Sequence, residues 1–221
     1  MMTIQQLKEK INNTSVIFFD LDGTLIDTEC LYFRFWKAGC AYYGYEMSDE
    51  EALNMRSRDV NSAMEYLSSI SNGLLDYYKV KAKRIELMNE YLLTHPIKLK
   101  EGAKELLEKL QKEGKRLYLV TANMVDKALK TLKDVGLDGY FVNVISAKDV
   151  ARGKPYPDVY LKAAQVVGVK PEETIVFEDS PNGLKSSYAA GCFTVMVEDL
   201  TKHEKDMDYV HAVVSSLSEL L

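Results

Sequence analysis

Ser15-Val-Ile-Phe-Phe-Asp20-Leu-Asp22-Gly23-Thr24-Leu25 decides how the rest of the chain is read. Its first half is a short apolar run of strand formers, and its second half is a tight acidic turn. In open α/β sheets ligands bind beyond the carboxyl ends of the strands, so an acid closing this run stands where chemistry is done. Asp and Gly also favour ordinary turns. A calcium loop of the EF-hand type is excluded, because the glycine falls too early and Leu31 stands where the bidentate glutamate belongs. This stretch alone leaves Asp20 and Asp22 open between a turn and a site.

Working outward, similar apolar runs recur at Arg116–Thr121, Val142–Ser146, Thr174–Glu178 and Phe193–Val197. Helical spacing lies between them. Ala103, Leu106, Leu107 and Leu110 mark one buried helix face, and Tyr160, Ala163, Ala164 and Val167 mark another. Strands alternating with helices predict a parallel sheet buried on both faces, with right-handed crossovers. Residues 28–95 break this alternation. They contain no clear strand and are aromatic and amphipathic, with Tyr32, Phe33, Trp36, Cys40 and Tyr43 on one helix face. Two more helices are predicted, over 49–69 and 74–93, separated at Ser71-Asn72-Gly73. The expected organisation is an α/β, Rossmann-like parallel sheet core over 1–27 and 96–221, with a helical domain inserted over 28–95.

The other strand ends change the reading of the first. The second ends in Thr121-Ala122-Asn123, a hydroxyl and backbone N–H groups at a helix start, which suits a phosphate. Lys154 follows in Gly153-Lys-Pro-Tyr-Pro-Asp158, where glycine and prolines hold the backbone stiffly. The next strand runs into Glu178-Asp179-Ser180-Pro-Asn-Gly183. Two adjacent acids at the end of an apolar strand are costly if buried unpaired, and a hard divalent cation removes the conflict. One phosphate and one magnesium ion would satisfy all four strand ends.

The chain has 221 residues, 47% of them hydrophobic, enough for a substantial core. With 28 Lys and Arg against 33 Asp and Glu there is no basic excess, so neither a nucleic acid nor an anionic membrane is an expected partner. No run of about 18 apolar residues predicts a membrane helix. The polar start lacks the apolar middle of a secretion signal. Cys30, Cys40 and Cys192 show no C-x-x-C spacing and read as reduced residues of a cytoplasmic protein. His95, His203 and His211 share no ligand spacing.

The ordered set of D-x-D-G-T at Asp20–Thr24, Thr121, G-K-P-x-P-D around Lys154 and E-D-S-x-x-G from Glu178 resembles the haloacid dehalogenase-like superfamily of phosphohydrolases. Within it, Asp27-Thr28-Glu29 and the aromatic helix after it resemble the β-phosphoglucomutase and sugar-phosphate phosphatase branch. The resemblance implies a helical cap after the first motif and a mechanism through an aspartyl phosphate. Asp20 would be the nucleophile and Asp22 the general acid and base, with Thr121 and Lys154 on the phosphoryl oxygens. Magnesium would be held by Asp20, the Asp22 carbonyl and Asp179, with Glu178 direct or through water. Gly23, Thr24, Ala122 and Asn123 would line the substrate, with Arg58 and Tyr32 from the cap. Asn123 stands open between assisting the phosphate and capping the next helix, and Arg58 between a substrate contact and a pair with Asp59 or Asp49.

In the mutase a histidine stands early in the first cap helix, where Tyr32 falls here, which favours a phosphatase over a phosphomutase. The expected substrate is a small phosphorylated metabolite, a sugar phosphate foremost, and the expected state is a monomer. A dehalogenase would have no use for Asp22. A signalling receiver would lack the insert. A non-catalytic sugar-phosphate sensor stays open at this point.

Overall fold

Val16–Phe19 (β1) is buried at every position, as the continuous apolar run requires of a strand covered on both faces. Arg116–Thr121 (β2) and Thr174–Glu178 (β4) pair with it in parallel on either side. Asn143–Ser146 (β3), Phe193–Val197 (β5) and Ala212–Val214 (β6) complete one six-stranded sheet in the order β3-β2-β1-β4-β5-β6. This computed structural model describes residues 2–55, 58, 60–200, 202, 204 and 207–221.

The chain divides into two compact units, residues 1–27 with 98–221, and residues 28–97. The first holds the sheet and the helices Ile4–Asn12 (α1), Ala103–Lys112 (α6), Val125–Asp134 (α7), Asp158–Val167 (α8) and Pro181–Ala189 (α9). Ala103, Leu106, Leu107 and Leu110 are all buried, the face that their spacing predicts. Tyr160 and Ala163 are likewise buried in one cluster with Phe18, Val120 and Val176, and Ala164 is buried too.

The second unit is helical: Glu29–Tyr42 (α2), Asp49–Asn54 (α3), Val60–Ile70 (α4) and Tyr77–Leu92 (α5). Its core gathers Trp36, Cys40, Met47, Leu67, Tyr77 and Val80, with Tyr32 and Phe33 packed on the margin. The single helix expected over 49–69 is instead two, and Arg58 between them is not helical. Ser57 and Asp59 lie outside the described residues. No described helix is long and apolar enough to cross a membrane.

Register fixes where chemistry collects. Phe19 pairs with both Leu119 and Phe177, so Asp20, one step on, lies between Val120 and Glu178. Its N–H continues the ladder to Phe177 O at 3.0 Å. At the far edge, Gly102 opens α6 at φ 77°, and a Cβ there would meet Ser218 N at 2.3 Å. Gly102→Ala should therefore cost about 2 kcal/mol or more, a melting temperature lower by about 4–8 °C in a scanning measurement.

Candidate active site

Asp20 stands just past β1 and Lys154 reaches it from the loop before α8, Nζ to Oδ1 at 2.6 Å. The same ammonium donates to Glu178 Oε1 at 2.5 Å and to Val120 O at 3.2 Å. An ammonium has three N–H donors, and these contacts use all of them. The side chains of Lys154, Asp20 and Glu178 are 8%, 10% and 0% exposed, so this is a buried charge cluster and not a surface pair.

Asp179 completes it. Carboxylate oxygens of Asp20, Glu178 and Asp179 all lie within 4.8 Å of one another. Burial pushes the Asp20 carboxyl well above the ordinary carboxylate range; Lys154 opposes this, and Glu178 and Asp22 add to it. Burial pulls the Lys154 ammonium down, but Asp20 and Glu178 outweigh it and its pKa is raised overall. Three carboxylates gathered at one ammonium leave excess negative charge, and hard oxygen donors with such an excess fit a magnesium ion.

The two acids of the fourth strand differ in their surroundings. Glu178 Oε1 accepts from Lys154 and, at 3.0 Å, from the Tyr160 hydroxyl. Its Oε2 accepts from Asp179 N (3.2 Å), Ser180 N (3.3 Å) and Ser180 Oγ (3.2 Å). Five protein donors fill this carboxylate, which makes it an anchor more than a ligand. Asp179 accepts from Thr24 Oγ1 at 3.2 Å. Burial first, and then Glu178, pushes the Tyr160 phenol well up, so it stays protonated and donates.

Two glycines make room for these carboxylates. Gly23 turns at φ 83°, and a Cβ there would meet Asp179 Oδ2 at 2.3 Å. Gly183, in the first turn of α9, passes so close to Glu178 that a Cβ would lie 1.9 Å from Oε1. Ser180 caps α9 by accepting from Gly183 N at 3.1 Å while its own hydrogen goes to Glu178.

Asp22 is held from β2. Asn123 Nδ2 donates to Asp22 Oδ2 at 2.6 Å. The Asn123 side chain does not cap α7, whose N-cap is Met124 with no side-chain bond. Thr121 Oγ1 accepts from Asn123 N at 3.1 Å, so toward a substrate Thr121 acts as a hydrogen donor.

The structure thus brings together Asp20, Asp22, Gly23, Thr24, Thr121, Asn123, Lys154, Glu178 and Asp179. Ala122 is exposed directly beyond Thr121. Thr24 is fully buried with its hydroxyl on Asp179, so it serves a carboxylate. In the helical unit, Arg58 donates Nε to Asn54 O (2.6 Å) and Nη1 to Ser62 Oγ (2.9 Å) and lies over the Tyr66 ring. Asp49, one of the acids considered for it, pairs with Lys37. Tyr32 lies under the Arg84 guanidinium, 4.9 Å from ring centroid to Cζ. Sequence reasoning passed over Tyr160, read only as an apolar helix position. The available signal was its hydroxyl, since a buried tyrosine needs a partner.

Residues 17–197 match the family model described as haloacid dehalogenase-like hydrolase. The chain is 29% identical over 179 residues to a phosphorylated carbohydrates phosphatase of Thermotoga maritima, covering 79% of this chain and 81% of the relative. It is 32% identical to hexitol phosphatase A of Escherichia coli, covering 81% of each. A solved structure, a conserved haloacid dehalogenase-like protein of unknown function from Agrobacterium tumefaciens, matches with TM-score 0.77 at 25% identity, covering 94% of this chain and 96% of that one.

The charge imbalance has a measurable consequence. Asp20's folded pKa lies above its unfolded value, so its contribution to metal-free stability is present at low pH and is lost as pH rises through the raised range. Magnesium, which needs the carboxylate, should raise the melting temperature increasingly as pH rises. Asp179→Asn should raise the metal-free melting temperature and abolish the magnesium response, both read by thermal shift. Gly183→Ala should lower the melting temperature and weaken magnesium binding at least about tenfold, because Glu178 loses its seat.

Proposed function

The chain belongs to the haloacid dehalogenase-like hydrolase family, and from that premise we propose that it is a magnesium-dependent phosphatase of small phosphorylated metabolites, sugar phosphates foremost. The observation that carries this is the buried convergence of Asp20 with Lys154, Glu178 and Asp179, with Asp22 beside it. The carbohydrate and hexitol phosphatases among the relatives support the substrate class. The reading places the enzyme in the cytoplasm, in keeping with three cysteines that are all free.

Asp20 attacks the substrate phosphorus, and the bond from phosphorus to the leaving oxygen breaks as the bond to Asp20 forms. Asp22 protonates the leaving oxygen, then takes a proton from the water that attacks the aspartyl phosphate and frees Asp20. Thr121 donates to a phosphoryl oxygen. Lys154 keeps Asp20 oriented and turns one N–H to the phosphoryl group by releasing its longest bond, to Val120 O. Asp20, Asp179 and the Asp22 carbonyl would hold the magnesium ion, with Glu178 behind them as their support. When bound, the ion supplies positive charge that offsets repulsion between an anionic nucleophile and an anionic substrate.

A phosphomutase would use the same first step and pass the phosphoryl group to a second sugar hydroxyl instead of water. Tyr32 at the place of the mutase's histidine supports the phosphatase. Phosphate release from p-nitrophenyl phosphate and from a panel of sugar phosphates, with and without magnesium, tests the reading. Release should need magnesium, and Asp20→Asn should lower turnover at least about a thousandfold. Full activity of that variant removes Asp20 as nucleophile, and no magnesium-dependent release by the wild type leaves a sensor. With β-glucose 1-phosphate and catalytic glucose 1,6-bisphosphate, free phosphate should outpace glucose 6-phosphate; the reverse identifies a mutase.

A further inference from the structure

We propose that Lys127, an exposed residue outside every motif of the site, is a positioning residue that sets the catalytic geometry of Asp22 through the side chain of Asn123. The inference rests on the reading of Asp22 as general acid and base.

Lys127 Nζ donates to Asn123 Oδ1 at 3.1 Å, and Asn123 Nδ2 donates to Asp22 Oδ2 at 2.6 Å. The chemistry of the lysine gives this chain a direction. An ammonium only donates, so the amide end that faces it must be the oxygen, and the NH2 end must then face Asp22. Without Lys127 the amide loses the contact that holds its oxygen end, and only the Nδ2 contacts to Asp22 and, at 3.4 Å, to Thr121 Oγ1 oppose its turning. The cation also polarises the amide and strengthens the bond at its other end.

The rest of Asn123 is already pinned. Its carbonyl oxygen accepts from the buried Ser146 hydroxyl at 2.6 Å, and its N–H goes to Thr121 Oγ1 at 3.1 Å. With the backbone fixed by β2 and β3, the amide orientation is the remaining freedom, and Lys127 holds its oxygen end while Asp22 and Thr121 hold its nitrogen end. Nδ2 donating to Oδ2 engages that oxygen as an acceptor, so the proton for the leaving group is carried on Oδ1.

The place of Lys127 in its helix supports a purpose beyond solvation. It lies in the first turn of α7, where the partial positive charge of the helix end disfavours a cation. Lys133, at the other end of the same helix, is placed where cations are favoured. A lysine serving only solubility gains nothing from the first turn.

The test uses the intact enzyme with magnesium and two phosphate esters. Glucitol 6-phosphate has an alkoxide leaving group that needs a proton; p-nitrophenolate departs without one. In single turnover, Lys127→Met should slow glucitol release about tenfold, equivalent to about 1.4 kcal/mol, and leave p-nitrophenolate release within about twofold. Steady-state KM for glucitol 6-phosphate should stay within about twofold, and Lys127→Arg, which keeps a donor for Oδ1, should recover most of the rate. The relay is overturned if Lys127→Met leaves glucitol release unchanged, slows both leaving groups equally, or acts through KM, the last making Lys127 a substrate contact. It is also overturned if Lys127→Arg is as slow as Lys127→Met. Asp22→Asn is run beside them. Glucitol release at the wild-type rate in that variant overturns the reading of Asp22, and the relay with it. A slow Asp22→Asn with a fast Lys127→Met sinks the relay alone.

Discussion

The ammonium of Lys154, buried between Asp20 and Glu178, is the contact on which the site depends. A carboxylate moved out of water without a partner costs several kcal/mol, and here the sheet register delivers Asp20 and Glu178 side by side at the centre of the fold. Neither strand end can retreat, because β1 and β4 are buried at every position on which the core is built. Lys154 touches both carboxylates, and its remaining hydrogen is fixed by a backbone carbonyl of β2. Three strands and the loop before α8 are thereby tied to one atom. The tie is incomplete as a charge balance, since Asp179 is buried within reach of the same pair. Stability alone would favour one acid fewer. A site that keeps the excess is shaped to receive positive charge from outside the chain.

That excess is distributed unequally. Glu178 is saturated by protein donors from α8, from Lys154 and from the start of α9, so its charge is spent within the fold. Gly183 lets α9 begin against Glu178, and Gly23 lets the first motif turn against Asp179. Both glycines are thus demanded by a carboxylate packed against them, for Gly23 one that belongs to another strand end. Asp20 and Asp179, from the ends of two adjacent strands, have fewer of these donors: Lys154 reaches Asp20 and the Thr24 hydroxyl reaches Asp179.

Much of this was legible in sequence because it depends on strand ends. The apolar runs of β1 to β5 announce themselves by length and composition, and the acids, the threonine and the lysine follow from where those runs stop. Several elements escaped, among them β6 and α1. β6 has only Ala212–Val214, too short to carry a pattern, and α1 looks like a polar terminus unless Thr3 and Gln6 are seen to cap each other. Within the site, Tyr160 was hidden because a helix position that is buried reads as apolar whatever its polar tip does. Asn123 was legible as a polar residue near a helix start but not in its role, because its partner Asp22 is distant in sequence and only the β1–β2 pairing brings them together. Arg58 shows the converse. A charged residue in a promising place turns out to be bound to its own unit's Asn54, Ser62 and Tyr66, contacts that local sequence does not reveal.

Asp20 and Asp22 are the same residue type two positions apart, and the structure gives them opposite surroundings. The first is buried, faces an ammonium and shares space with two further carboxylates, so its charge is opposed from one side and crowded from the other. The second has one oxygen held by a neutral amide. An ammonium stabilises the anion strongly and directs one oxygen; an amide directs an oxygen with less bias toward the charged form. In the proposed mechanism these surroundings suit different tasks, a carboxylate oxygen held in a fixed direction at Asp20 and an oxygen left for proton transfer at Asp22. Leu21 between the two acids is itself fully buried. What separates the two acids lies less in the acids themselves than in what each one meets: Lys154 from the loop before α8, with Glu178 at the end of β4, for Asp20, and Asn123 just beyond β2 for Asp22.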